Sequence, residues 1–200
     1  MQDMCYIRFF QASPNNFGLD IYINDVLYEK NFTYKSFSEY KKAREGDYNI
    51  KIFPSNNKKL CLVDENITLY KNNIYTLAIV ATYNTSSFAL NLISDHTRDI
   101  NKNYSYIRFA NLSPDFNYLD IFMNDKLEIS ELSYGTVSSY LEFSPGKYYF
   151  KAYSLEEKKT ILKNPNLKLN AGKVYTGYVI GTDNKIQMVL PLEGATYLKF

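Results

Sequence analysis

The chain has no tryptophan, a single histidine, two cysteines, and no apolar run near membrane-spanning length. Each shortage excludes something. One histidine and two widely separated cysteines cannot assemble a zinc site. That histidine, His96, lies in a polar stretch, where no rigid scaffold holds it as the base of a Ser-His-Asp or Cys-His arrangement. Two cysteines are too few for a disulfide-stapled scaffold. A bilayer-crossing helix needs about 20 consecutive apolar residues, so no transmembrane segment is expected. The net charge is only +2. Residues 1–100 carry eleven basic and eleven acidic side chains, and residues 101–200 carry twelve and ten. Neither half has the basic excess that a phosphate backbone demands, which argues against nucleic acid as a partner. The start, Met1-Gln-Asp-Met-Cys-Tyr-Ile-Arg, lacks the basic n-region and apolar core of a signal peptide. The expectation is a chain made in the cytosol, or one whose signal has been removed. Gly-rich phosphate loops and spaced Asp/Asn calcium loops are missing too. The residues therefore name no catalytic group, no cofactor and no metal, and the chain reads as a non-enzyme.

What is present is a repeat of 100 residues without insertion or deletion. Tyr6-Ile-Arg-Phe, Ser13-Pro14, Leu19-Asp20-Ile21 and Asn24-Asp25 return as Tyr106-Ile-Arg-Phe, Ser113-Pro114, Leu119-Asp120-Ile121 and Asn124-Asp125. Tyr34, Ser38, Tyr40, Gly46, Tyr48, Lys51 and Tyr75-Thr76 recur in the same way. A period this long exceeds that of solenoids, so each repeat is expected to be a whole domain with its own core. The expected division is residues 1–94, a linker at 95–103 (Asp95-His-Thr-Arg-Asp-Ile-Asn-Lys-Asn103), and residues 104–200.

Within each repeat apolar residues alternate with period two, the signature of half-buried strands. Ile7 and Phe9 share one face, Leu19, Ile21 and Ile23 another, and Tyr48, Ile50 and Ile52 a third. Segments 74–82 and 174–182 are apolar on both faces and read as central strands. Asn24-Asp25, Asn56-Asn57, Asn72-Asn73, Pro145-Gly146 and Ala171-Gly172 punctuate them as turns. No segment of helical length shows a clean 3.6 period. Seven or eight short strands per repeat predict an all-β protein of two antiparallel β-sandwiches.

The pattern Ile-Arg-Phe-x-x-x-Ser-Pro, then Leu-Asp-Ile-Tyr-Ile-Asn-Asp, then Tyr134-Gly-Thr-Val-Ser-Ser-Tyr-Leu-Glu-Phe-Ser-Pro-Gly-Lys-Tyr148 resembles the bacterial domain-of-unknown-function family numbered 4397. The second half carries it better than the first, which has Lys35-Ser36 and Arg44-Glu45-Gly46 at the corresponding places. The resemblance implies tandem immunoglobulin-like sandwiches on a bacterial surface and no reaction. Analogy with cross-linked, tyrosine-rich layers laid down from the cytosol adds the expectation of a structural or assembly protein of a bacterial surface layer in the cell envelope, a spore coat, an exosporium or a surface filament.

Twenty tyrosines and thirteen phenylalanines make the chain strongly aromatic. Tyr22, Phe122, Tyr149, Tyr153 and Tyr178 fall opposite the expected core and form a candidate interaction surface. They could serve protein packing, including self-association or contact with other surface proteins, or the stacking of a glycan in an adhesin. The terminal run Ala195-Thr-Tyr197-Leu-Lys-Phe200 reads as extended and free to pair with a neighbouring subunit, or else as an addition to its own sheet. Cys5, near the other end, would lock such a contact covalently. Arg8 with Asp20, and Arg108 with Asp120, read either as a binding pair or as a cross-strand ion pair that fixes register.

Overall fold

The computed structural model describes residues 3–82, 87–95, 100–182 and 185–198. The chain divides into two compact units, Met1–Thr97 and Arg98–Tyr197. Unit 1 contains β1 (Met4–Gln11), β2 (Leu19–Ile23), β3 (Val26–Phe32), β4 (Lys41–Arg44), β5 (Gly46–Pro54), β6 (Val63–Leu69), β7 (Ile74–Ala81) and β8 (Phe88–Asp95). Unit 2 repeats them as β9 (Ser105–Asn111), β10 (Tyr118–Met123), β11 (Lys126–Ser133), β12 (Leu141–Phe143), β13 (Gly146–Ser154), β14 (Lys159–Leu169), β15 (Val174–Ile180) and β16 (Gln187–Val189). Among the described residues there is no α-helix, and Gly194–Thr196 form a 3-10 turn.

Each unit is a two-sheet sandwich. The first sheet runs β4-β1-β7-β8 in unit 1 and β12-β9-β15-β16 in unit 2. The second runs β3-β2-β5-β6 and β11-β10-β13-β14. One pairing in each unit departs from the expected antiparallel plan: β1 lies parallel to β7, and β9 to β15. The reason is connectivity. Parallel neighbours need a long crossover, and here that crossover is the passage of the chain through the opposite sheet between the two strands.

The apolar alternation closes the cores as the sequence implies. Ile7, Phe9, Leu77 and Ile79 from one sheet meet Leu19, Ile21, Ile50 and Ile52 from the other, all buried. Their counterparts Ile107, Phe109, Val179, Leu119, Ile121 and Phe150 do the same in unit 2. The doubly apolar β7 and β15 are buried along their whole length.

Two local devices fix the register of the second sheet. Asn24-Asp25 and Asn124-Asp125 take positive φ at both residues, as a tight hairpin between twisted strands requires. Further along, Asn31 (φ 51°) and Glu131 (φ 53°) sit opposite a register shift in β2 and β10. The amide of each bulged residue is satisfied by a carboxylate: Asn31 N donates to Asp20 Oδ1 and Glu131 N to Asp120 Oδ1, both at 2.9 Å. The expected linker needs correcting at its start. Asp95 is the buried last residue of β8, whereas His96 lies outside the described residues.

Candidate functional site

The most elaborate polar arrangement recurs in both units on the side of the first sheet away from the core. β1 alternates, yet both of its faces are buried, because Tyr6, Arg8 and Phe10 are covered, as are Ile7 and Phe9. Arg8 Nε donates to Thr76 Oγ1 on the neighbouring strand at 3.0 Å. Its guanidinium carbon lies 4.7 Å from the ring centre of Phe37 and 4.5 Å from that of Tyr40. The Tyr40 hydroxyl donates to Asp95 Oδ2 at 2.6 Å. Burial and the adjacent Asp95 carboxylate push the Tyr40 phenol far above its ordinary value, against the opposing pull of the Arg8 guanidinium.

Unit 2 builds the same cluster with a different acid. Arg108 Nε donates to Thr176 Oγ1 and to Glu193 Oε1, each at 3.0 Å, beneath the Tyr140 ring. The Tyr140 and Thr176 hydroxyls both donate to Glu193. In the 100-residue register, Glu193 corresponds to Ile93 and not to Asp95. The acid comes from the end of β8 in one unit and from the segment after the short β16 in the other. Tyr40/Tyr140 and Thr76/Thr176 were visible as repeats, but this offset hid the carboxylate from sequence reading.

The Arg–Asp pairs expected from sequence do not form. Arg8 and Asp20 lie on different sheets. Besides Asn31 N, Asp20 accepts from Ser55 Oγ (2.7 Å) and Asn56 N (3.1 Å). Burial tends to raise its pKa, but these hydrogen bonds outweigh that and hold it below the ordinary carboxylate value. The Ser-Pro turn is likewise consumed by the fold. Ser13 N donates to Gln11 Oε1, Ser113 N to Asn111 Oδ1, and Ser113 Oγ to Gly181 O. Among the described residues no three His, Cys, Asp or Glu gather as a metal site would need.

The candidate interaction residues scatter. Cys5 is wholly buried against Ala43, with burial raising its thiol pKa, so in this fold it cannot reach a neighbouring chain. Tyr178 is also wholly buried, on the central strand β15. Tyr22 is 8% exposed, edge-on to Phe53 and beneath Lys58. Phe122, Tyr149 and Tyr153 are half-buried on the outer face of the second sheet of unit 2. Tyr197 is exposed, but it follows a 3-10 turn stitched by Thr196 N to Glu193 O and Tyr197 N to Gly194 O, so the run does not leave as an extended arm. Phe200 lies outside the described residues. Sequence reading passed over an open depression of about 440 Å³ lined by Glu29, Phe37, Glu39 and Lys41, with a 3.2 Å ion pair between Lys41 and Glu29 in its wall.

The family description "Domain of unknown function (DUF4397)" matches residues 5–121 and 105–196. The chain belongs to the DUF4397 family. The first match runs through unit 1 into β10, and the second covers unit 2, so the DUF4397 domain is present in tandem. No curated protein matches the chain. Within this DUF4397 chain, the residues that carry the repeat, Arg8, Asp20, Tyr40 and Thr76 with their copies, are the ones spent on bracing strands.

Proposed function

We propose that this DUF4397 chain is a non-catalytic structural protein of a bacterial surface layer, cell envelope or spore coat, built from two immunoglobulin-like modules. The observation that supports this is how the repeated polar residues are used. The arginine cluster, the bulge-holding aspartate and the Ser-Pro turn recur, and in both units their hydrogen-bonding groups turn inward on the fold. Selection that keeps such residues in both copies keeps a rigid module. The hairpins β2–β3 and β5–β6, facing a sheet that contains β1 and β4, support the immunoglobulin-like comparison. The surface location rests on the family resemblance. Immunogold labelling of intact cells and spores tests it: gold at the outer surface is expected, and gold confined to the cytosol overturns it.

A second reading, a binding module or adhesin, is favoured by the half-buried aromatics Phe122, Tyr149 and Tyr153 on one open sheet face. Glycan-array binding by the intact chain, reduced by Tyr149→Ala, is its expected result.

A further inference from the structure

The outer face of the second sheet differs between the units in a way the scaffold does not require. On β13, Phe150 and Ala152 are wholly buried in the core. Alternation therefore places Lys147, Tyr149, Lys151 and Tyr153 on the opposite face. Across from them, β14 sets Lys168 facing Lys147 and Lys163 facing Lys151. Like charges on directly opposed residues repel. At the same rungs in unit 1, Asp47 faces Thr68 and accepts its hydroxyl at 2.6 Å, and Lys51 faces Asp64. One scaffold thus has compatible rungs in unit 1 and repulsive ones in unit 2.

Protection of a sheet edge accounts for only part of this. Lysines on an edge strand deter unwanted strand addition, and β14 is an edge. Yet β14 is already blunted by Pro165 and by register shifts against β13. Lys147 and Lys151, moreover, stand on an interior strand. Lys151 is balanced by Asp125 at 3.0 Å. Among the described residues, no ion pair holds Lys147, Lys163 or Lys168.

We propose that this face, formed by Lys147, Tyr149, Lys151, Tyr153, Lys163 and Lys168, binds an anionic polysaccharide. Side chains on one face of a strand recur about every 6.6 Å, and neighbouring strands lie about 4.8 Å apart. The ammonium groups therefore form a grid that can meet acid groups on successive sugars. Tyr149 and Tyr153, between them, offer ring surface and a hydroxyl, the combination that suits a sugar's apolar face and polar rim. A second copy fits less well. The corresponding face of unit 1 offers Asp47 and Asp64, which are already bonded to Thr68 and Asn49 and flank Lys51. Single-stranded nucleic acid also stacks on rings, but Phe122, beside this face, is capped by Lys151 Nζ at 4.5 Å from its centre, and a chain of net charge +2 lacks the broad basic excess a phosphate backbone draws on.

This inference deepens the binding-module reading and is separable from it. A neutral glycan bound elsewhere would leave that reading standing and overturn this one. The test titrates the intact chain with polygalacturonate, using dextran as the neutral control and oligo-dT as the nucleic-acid control. Binding to polygalacturonate alone is expected, weakening at least about tenfold between low salt and about 0.5 M NaCl as screening sets in. The variant K147E/K163E/K168E should lose at least about tenfold in affinity at low salt, with a melting midpoint no lower than the parent's. Should that variant fail to fold, K163Q/K168Q serves instead, with an intermediate loss expected. Absent binding at low salt, or binding undiminished in the variants, overturns the proposal. Oligo-dT bound as tightly would reassign the face to nucleic acid. Salt-sensitive self-association without polymer, abolished by the same substitutions, would reassign it to a second copy.

Discussion

The two units solve one packing problem with different side chains. Unit 1 has Ile50 and Leu77 where unit 2 has Phe150 and Gly177. In unit 2 the Phe109 and Phe150 rings stack with centres 5.2 Å apart, and Phe109 occupies the space beside Gly177. A Cβ at Gly177 would lie 2.8 Å from Phe109 Cδ1 and 3.0 Å from Met188 Sδ. In unit 1, Phe9 leans on Tyr28 instead, and Leu77 fills the strand position. The polar cluster shows the same freedom, since Asp95 and Glu193 accept the equivalent tyrosine hydroxyls, Tyr40 and Tyr140, from positions two apart in the repeat. Volume and charge balance are kept, while residue identity drifts. On the outer face of the second sheet the charge pattern drifts as well, with Lys147 facing Lys168 and Lys151 facing Lys163 where unit 1 has Asp47 facing Thr68 and Lys51 facing Asp64.

The largest effect, and one confined to a single unit, should come from the acid in the cluster. Glu193 is wholly buried and pairs directly with Arg108. Glu193→Ala leaves a buried guanidinium without its carboxylate, a loss of about 3–5 kcal/mol. Hydrogen exchange followed by peptide should show protection falling across β9 and β15. An equal fall across β1 and β7 would mean that the cluster is not a local brace of unit 2.

Next comes the core exchange. Gly177→Leu forces a side chain into the space held by Phe109, costing about 1–3 kcal/mol. Adding Phe150→Ile recreates the unit 1 combination and should recover most of that loss in denaturant unfolding. If the double variant is as unstable as the single one, the two positions do not compensate each other.

Much of this architecture is legible in the sequence. The period-two pattern at Ile7, Phe9, Leu19 and Ile21 and the Asn-Asp hairpins follow from local rules, and the structure keeps them. Residues whose surroundings depend on long-range topology were harder. Tyr178 alternates as an outward residue, yet β15 is covered on both sides. Arg8 and Asp20 look like partners because their strands are consecutive, but the chain crosses from one sheet to the other between β1 and β2. Cys5 is near a terminus in sequence and inside the core in space, because β1 is a central strand.

The bulge-holding aspartates should differ more modestly. Asp20 holds three donors, Asn31 N, Ser55 Oγ and Asn56 N, whereas the bond seen at Asp120 comes from Glu131 N. Asp20→Ala should cost about 1–2 kcal/mol, and Asp120→Ala roughly half as much. Acid separates them as well. With its folded pKa depressed below 3.8, Asp20 contributes stability that is present above pH 3.8 and lost as the pH falls through the folded value. Asp20→Asn should therefore remove part of the acid sensitivity below about pH 4. An unchanged acid limb in that variant would show that the hydrogen bonds do not favour the ionised form.

The smallest effect concerns the repulsive rung. Lys163→Asp in unit 2 gives Lys151 the acidic partner that Asp64 provides for Lys51 in unit 1. The face is partly open, so solvent and salt limit the gain. The expected result is a rise of roughly 1–3 °C in the melting midpoint at low ionic strength. At about 1 M NaCl, where the screening length shrinks to about 3 Å, the rise should largely vanish. The converse substitution, Asp64→Lys in unit 1, should lower the midpoint at low salt, also with salt-dependent size. A gain from Lys163→Asp that survives high salt would point to better packing instead of relieved repulsion, and the charge contrast between the two sheets would lose its energetic meaning. A gain that salt removes means that unit 2 is less stable than its scaffold allows. The lysines would then be held on this face against a measurable cost to the fold, a trade-off of stability against function common at binding surfaces.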